Sequence, residues 1–448
     1  MKITTRVCII GAGAGGIGCA YRLIKNGIQT VLIDKNPDLG GTMTYGGIDG
    51  WEPGVSLNGM HREIAEGLLK EPLGAHVVEW LPNLNLLDGS RDMDRSRHSF
   101  AERPWGYNAH VGGSYDDTLA RCESLRSDRP ARRFQFDSDA FIRVVHKLFA
   151  PYKDNLTELY GCEYLCCETD GDRIISATVK RGDESITVTA DIFVDASGDI
   201  VLARDAGCAY TIGTEGHGDY GEPSATERSS MINAVTYAFR VAPTGSPVHV
   251  DNIPEEAKGV DLGEWAECAM KRTVSLIVKY PNGDLHVNML PTMQGEEYFS
   301  LGKDADTVGR ARVYAYWNYL QTEKGLSGYT IKRIYDAGVR ESYRLIGKYV
   351  LREQDMRAGK PLGIATKRTV AIADHCIDVH GKGSFNSALD APYEIPIECT
   401  ETLEYANLFV ACRGASFTHL ASSSARLSRT MISIGEGVGE YISELLIR

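Results

Sequence analysis

No uninterrupted apolar stretch in this 448-residue chain reaches the roughly 18 residues that a membrane-spanning helix requires. The opening "MKITTRVCII" has a short apolar run that passes directly into glycines with no separate cleavage region, so it does not read as a signal peptide. Basic residues are too few and too scattered to form a block. With Lys and Arg at 48 against Asp and Glu at 60, the formal net charge is −12, which argues against nucleic acid or an anionic membrane surface as a partner. Any anionic ligand would need local arginines. The eleven cysteines include no C-x2-C pair. Cys162, Cys166 and Cys167 form the one cluster, and their spacing fits neither a zinc nor an iron–sulfur site, so no metal is expected. Reduced, partly buried thiols of a cytoplasmic protein are the plain reading. There is also no internal repeat and no low-complexity linker.

What is present is a 43% hydrophobic composition, enough for a full core and for two lobes. Residues 5–10, "TRVCII", form a β-rich apolar run; "AYRLIKNGI" follows with helical spacing at Tyr21, Leu23, Ile24 and Ile28; "TVLID", residues 30–34, is a second apolar strand ending in an acid. This is a β-α-β unit in about thirty residues. The polar, aromatic-dotted stretch from about 80 to 130 has no clean periodicity and reads as an excursion. Helical spacing resumes at 139–149, and strand-like segments follow at 162–167, 174–180, 185–190 and 192–195, the middle two joined by a turn at "RGDE". Mixed strands and helices over about 210–330 make a second lobe, and the chain closes on a helix, "RTMISIGEGVGEYISELLI".

The turn between the first strand and helix is "IIGAGAGGIG", residues 9–18. Here Gly11 allows the tight turn, Gly13 lets the backbone approach a pyrophosphate, and Gly16 lets helix and strand pack closely. Ala14 and Gly15 open the helix, whose free N–H groups and positive dipole end suit phosphate. Asp34 lies 18 residues past Gly16, where a carboxylate can accept hydrogen bonds from ribose hydroxyls, with Lys35 beside it. Strand, turn, helix and acid agree on a bound dinucleotide. Gly40, Gly41 and Thr42 in "LGGTMTYGG" supply backbone that can run beside an extended cofactor, and "IFVDASGD" puts Ala196, Ser197 and Gly198 at the tip of an apolar strand.

These residues together resemble the FAD-dependent oxidoreductases of the glutathione-reductase-like superfamily, and within it the FAD_oxidored family. The GG-T turn after the second strand, the D-A-S-G-D of Asp195 to Asp199, the "GVRESYR" of Gly338 to Arg344, the pair Asp378 and His380, and the stretch from Arg413 through Gly439 carry the resemblance. It covers most of the chain except about 80–130 and 240–320. The resemblance implies an α/β fold: a Rossmann-like FAD-binding domain with a β meander, plus a second, mixed α+β substrate lobe. The corresponding boundaries are 1–80 and 131–210 for the first parts of the FAD-binding domain and 81–130 for an excursion near the active site. A substrate or cap lobe takes 211–330, and 331–448 returns to the FAD-binding domain. It implies non-covalent FAD, with the adenosine on the first β-α-β unit and the flavin against the carboxy-terminal glycines. No second G-x-G-x-x-G is present, which speaks against a built-in NAD(P)H domain, and the cysteine motifs of cluster-bearing relatives are missing.

Flavin carries the redox step, so the protein must orient a substrate and move a proton. Among the histidines, His380 stands out because Asp378 precedes it by two, which in an extended segment puts both side chains on one face; a structural histidine is the alternative. His419, in "ASFTHLASSSAR", is the second candidate, to line the flavin pocket or cap a turn. Arg340 and Arg344 share a side if "GVRESYR" is helical. They would bind an anionic ligand or reduced flavin, or else an internal acid such as Glu341. Arg413 and Arg426 pose the same choice. Gly435, Gly437 and Gly439 are expected to begin the last helix, directing its dipole at the flavin, or else to permit close packing. Trp51 would cover the pocket or pack in the core. His286 and Asn288 share a strand face that lines the substrate lobe or is the wet side of the sheet. The expected activity is hydride transfer between flavin N5 and a small polar substrate, such as an alcohol, hydroxy acid, glycoside or activated double bond. The alternatives are a flavin monooxygenase using NAD(P)H and oxygen, and a non-catalytic flavin subunit of a redox complex.

Overall fold

Val7 to Ile10 and Thr30 to Ile33 are buried without a break, the pattern of strands covered on both faces by other layers. In the computed structural model, which describes residues 1–51, 54–55, 59–79, 132–263, 265, 276–288 and 292–447, they form the centre of a seven-stranded sheet. Across the sheet the order is Leu156–Leu159, Thr30–Ile33, Lys2–Ile10, Glu184–Asp195, Arg173–Arg181 and Glu163–Asp170. The first four strands run parallel, and the last three form an antiparallel meander. Glu184–Asp195 belongs to both: its first half pairs with the meander, and its end pairs in parallel with Leu408–Val410. The segments expected at 185–190 and 192–195 are therefore one strand. Its polar residues between the apolar runs mark the handover from one partner to the other, not a turn.

The helix Ala14–Lys25 crosses from the first strand to the second. Its glycines are poor helix formers, and packing offsets that cost. The closing helix, Ser428–Ile447, lies against it. A Cβ on Gly18 would meet the Ile432 carbonyl oxygen at 2.3 Å, and one on Gly439 would meet that of Cys19 at 2.8 Å. Small residues thus let two backbones touch. Ser138–Phe149 covers the sheet nearby, its first turn held by Asp137, whose side chain accepts from the N–H groups of Asp139 and Ala140.

A second core gathers Tyr237, Phe239, Val287, Trp317 and Leu320. It lies between a four-stranded antiparallel sheet, ordered Leu276–Lys279, Leu285–Asn288, Phe239–Pro243 and Tyr329–Ile334, and the helix Ala305–Glu323. Arg240 of this sheet joins the two cores, donating to Asp137 and to Asp284 at 2.7 Å each. The Tyr280 hydroxyl does the same, donating to Asp49 at 2.7 Å. His286 lies 3.2 Å from Asp49 with both side chains sealed from solvent, so that strand face is not the wet side of the sheet.

Most of the excursion expected over 81–130 lies outside the described residues. Its two ends are described: Ala75–Glu79 pairs with Arg132–Phe136, which also pairs with Gly50–Trp51. Among the described residues no helix is long and apolar enough to cross a membrane.

Candidate functional site

Gly11 has φ of +104°, a conformation that favours glycine, and its N–H donates to the Ile33 carbonyl at 2.7 Å. The chain thereby leaves the first strand and doubles back over the sheet edge. A Cβ on Gly11, Gly15 or Gly16 would overlap backbone atoms at 2.4, 1.7 and 1.8 Å, whereas one on Gly13 would meet nothing within 4 Å. Gly11, Gly15 and Gly16 are packing glycines. Gly13 faces open space, and that space is a cavity of about 690 Å³, within the size range of cofactor pockets. Gly13 caps the helix without a side chain, and no acid lies in the helix's first turn, so its free N–H groups and positive dipole end are not offset by a side chain of that turn.

Gly41, Thr42, Ala196, Ser197, Gly198 and Arg413 line the same cavity, together with Gly11, Ala14 and Gly15. Asp34 lines it with Lys35, and its carboxylate fastens the turn: Oδ2 accepts from the Ala12 N–H at 2.6 Å, and Oδ1 from the Asn36 N–H at 2.8 Å. Burial raises its pKa against those hydrogen bonds. Gly40 lies behind the wall, donating its N–H to the Ala12 carbonyl at 2.8 Å, and Gly16 packs helix on strand. Asp195 is wholly buried and accepts from Ser197 and from the Ala203 N–H, which holds the Ala196–Gly198 bend at the cavity wall.

A further stretch of wall is built from the carboxy-terminal third: Gly338, Arg340, His375, Asp378, His380 and Arg426. Ile377–Val379 is a short strand, and His380 follows it, so Asp378 and His380 do share a face. His380 Nε2 lies 2.6 Å from Asp378 Oδ2. Burial first, and then the charge of Arg340, lower the His380 pKa to about 4. Burial alone would raise that of Asp378, but the bond to His380 and the charge of Arg426 hold it well below the usual carboxylate range. Arg426 Nη2 lies 3.5 Å from Asp378 Oδ2. Arg340 Nη1 donates to the Ala234 carbonyl at 2.6 Å and to the Thr236 hydroxyl at 2.8 Å.

Several expectations are corrected. "GVRESYR" is not helical but an irregular segment leading into the two-residue strand Arg344–Leu345, so Arg340 faces the cavity while Arg344 turns away from it. Arg344 is fully buried, paired with Glu341 and Glu215 and donating to the Phe417 carbonyl at 3.0 Å. His419 does not line the cavity. It begins the helix His419–Ala425, and its Nδ1 lies 2.9 Å from Glu341. Burial opposes the charge of Glu341, but His419 and Arg344 hold its pKa down to about 2. Gly435 does not begin a helix: it lies two turns inside Ser428–Ile447, away from the cavity, where a Cβ would meet the Gly15 carbonyl oxygen at 2.0 Å. Gly437 and Gly439 likewise serve packing.

Trp51 both lines the cavity and packs against Phe134 and Phe136, its indole N–H donating to Ser428 at 3.0 Å. Asn288, Tyr237 and Tyr298 bring the second lobe to the wall. Sequence reasoning missed His375, Asn233 and Arg429. Asn233 is buried and accepts the His380 backbone N–H at 2.8 Å while donating to Glu341 at 2.7 Å. Arg429 is buried against Asp374. The stretch "DHCIDVH" held a signal for His375, but residues 374–376 precede the strand, so alternation alone did not show that His375 also reaches the cavity.

The residues present fit FAD: a glycine whose missing side chain opens onto the cavity, an uncapped helix start, an acid for the ribose, and buried cations farther along the wall. Solved structures with a similar outline include a geranylgeranyl bacteriochlorophyll reductase-like protein from Thermoplasma acidophilum, 12% identical with a TM-score of 0.46, covering 100% of this chain and 80% of that one. Another is the p-nitrophenol 4-monooxygenase PnpA from Pseudomonas putida, 10% identical with a TM-score of 0.42, covering 100% and 79%. Among curated proteins, the glutamate synthase [NADPH] small chain of Halomonas elongata is 51% identical over 41 residues, 9% of each chain. The putative oxidoreductase AegA of Escherichia coli is 41% identical over 63 residues, 14% of this chain and 9% of that one. The chain thus spans under a tenth of the length of these curated relatives. The family model described as FAD dependent oxidoreductase, by contrast, matches residues 6–444. With that match over nearly its whole length, the chain belongs to the FAD dependent oxidoreductase family.

Proposed function

We propose that this protein transfers a hydride between a small polar substrate and the flavin N5, with His380 moving the accompanying proton. The observation that carries the reading is the 2.6 Å hydrogen bond between His380 and Asp378 in the wall of the cavity that the glycine turn also lines. An ionised carboxylate only accepts hydrogen bonds, so Nε2 carries the imidazole proton and Nδ1 keeps its lone pair. With its pKa lowered to about 4, chiefly by burial, the ring is a neutral base near pH 7. FAD, when bound, supplies a two-electron acceptor at N5. With FAD in place, His380 Nδ1 would take up the hydroxyl proton of a substrate alcohol, and in the reverse direction the imidazolium would return it. Asp378 fixes the ring and balances its charge. Asn233 holds the His380 backbone in place. The lobe carrying Tyr237, Asn288 and Tyr298 is the substrate side in this reading, and Asp34 the adenosine side.

The test is the visible spectrum of the purified protein before and after anaerobic addition of polyols, glycosides, hydroxy acids and amines. Bleaching by one class supports the reading and names the class. Oxygen-dependent NAD(P)H consumption without bleaching would replace it with a monooxygenase, and a stable flavin inert to both treatments would leave a flavin-binding subunit. His380→Ala is expected to retain FAD and to slow bleaching by about 10²- to 10⁴-fold. An unchanged rate removes His380 from proton transfer.

A further inference from the structure

Four arginines contribute to the cavity wall among the described residues, and three of them face an acid: Arg413 with Asp199 at 2.7 Å, Arg426 with Asp378 at 3.5 Å, and Arg429 with Asp374. Arg340 does not. Its Nη1 is pinned by two neutral acceptors, the Ala234 carbonyl and the Thr236 hydroxyl. Nε and Nη2 make no hydrogen bond with the described residues and are not sealed off from the cavity. A guanidinium anchored at one nitrogen with two N–H groups left in a fork is the shape that grips a carboxylate through both oxygens. The anchor also fixes the direction of the fork, so little freedom is lost on binding.

The charges agree. Near pH 7 the local set is Asp378 negative, His380 neutral, and Arg340 and Arg426 positive, an excess of one positive charge. Burial first, and then the like charge of Arg426, bring the Arg340 pKa down to about 9 against the opposing charge of Asp378, as expected of a buried cation that no carboxylate touches. One carboxylate would restore balance; a phosphate dianion would overshoot it.

We infer that the substrate carries a carboxylate, held by Arg340 beside the Asp378–His380 pair. This rests on the hydride-transfer reading and narrows it to hydroxy acids, or to alkenes bearing a carboxylate in the reductive direction. Glycosides and simple polyols are set aside.

The experiment titrates the flavin spectrum of the holoprotein with glycolate, lactate and benzoate, and separately with glycolamide, lactamide, benzamide and inorganic phosphate. The acids are expected to perturb or bleach the spectrum with saturation, and the amides and phosphate are not. This comparison needs no variant. Arg340→Met, once its FAD content is shown to match the parent, is expected to bind the acids about 10- to 100-fold more weakly, with Arg340→Lys between the two because it keeps the charge and loses the fork. Amides or phosphate acting like the acids would overturn the inference. So would an Arg340→Met protein with unchanged acid affinity and a lowered flavin midpoint potential, which would assign the guanidinium to reduced flavin instead. If a polyol bleaches the flavin and no acid perturbs it, hydride transfer stands and the carboxylate does not. If acids bind through Arg340 and nothing is oxidised or reduced, the anion site stands and hydride transfer falls.

Discussion

Replacing Asp34 with alanine removes both the acceptor that ties Ala12 into the turn at 2.6 Å and the carboxylate that, in the proposed reading, meets the ribose. Asp34→Ala is expected to weaken FAD binding by at least about tenfold, checked by flavin fluorescence on dilution; undiminished retention would count against the ribose assignment. At His380 the useful variable is pH. A base works only when unprotonated, so kcat/KM in the oxidative direction is expected to fall as pH drops through about 4, well below the ordinary histidine value. Since the charge of Arg340 contributes to that lowering after burial, Arg340→Met is expected to move the midpoint upward. A midpoint near 6.5 in the parent protein would show that the imidazole is not held in this environment.

Among the elements, the opening β-α-β unit was legible because three signals coincide there: apolar strands, glycines and a terminal acid. The Asp378–His380 pair was legible for a related reason, since a spacing of two has one meaning in extended chain. "GVRESYR" was not, because a spacing of four reads as helical only where other helical signals surround it, and here the neighbouring Gly338 and the isolated bridge to Thr236 keep the chain extended. His419 misled because a conspicuous histidine near an arginine looks the same whether it meets substrate or a buried glutamate. The closing glycines misled through propensity. Glycine is costly inside a helix, so three of them looked like a helix start, yet close packing selects them: Gly435 and Gly439 against Gly15 and Cys19 of the first helix, and Gly437 against Val370. Gly435→Val is accordingly expected to lower the melting temperature and to loosen the glycine turn, costing about 1–3 kcal/mol or more, with FAD lost at lower temperature than in the parent. A variant as stable as the parent would mean that the two helices can part without cost.

Across the whole molecule, the cavity draws its wall from distant parts of the sequence: residues near 10–51, the bend Ala196–Asp199, the second lobe, and the segment 336–431. That a second lobe exists was legible in its mixed strands and helices; how it joins the first was not, because Arg240, Asp137 and Asp284 are far apart in sequence and carry no local signature. A chain ending at Leu427 would keep most residues of the wall but lose the helix that supports Ala14–Lys25. It is expected to retain no FAD when purified, and a yellow truncated protein would show that the first helix holds its turn unaided.

The seam between the first helix and the last has a consequence for how the protein is made. The glycine turn is synthesised well before Ser428–Ile447, so for much of translation that turn is without the helix that braces it. Stable cofactor binding is therefore expected only once Ser428–Ile447 has been made and has docked on the first helix, rather than as the glycine turn emerges.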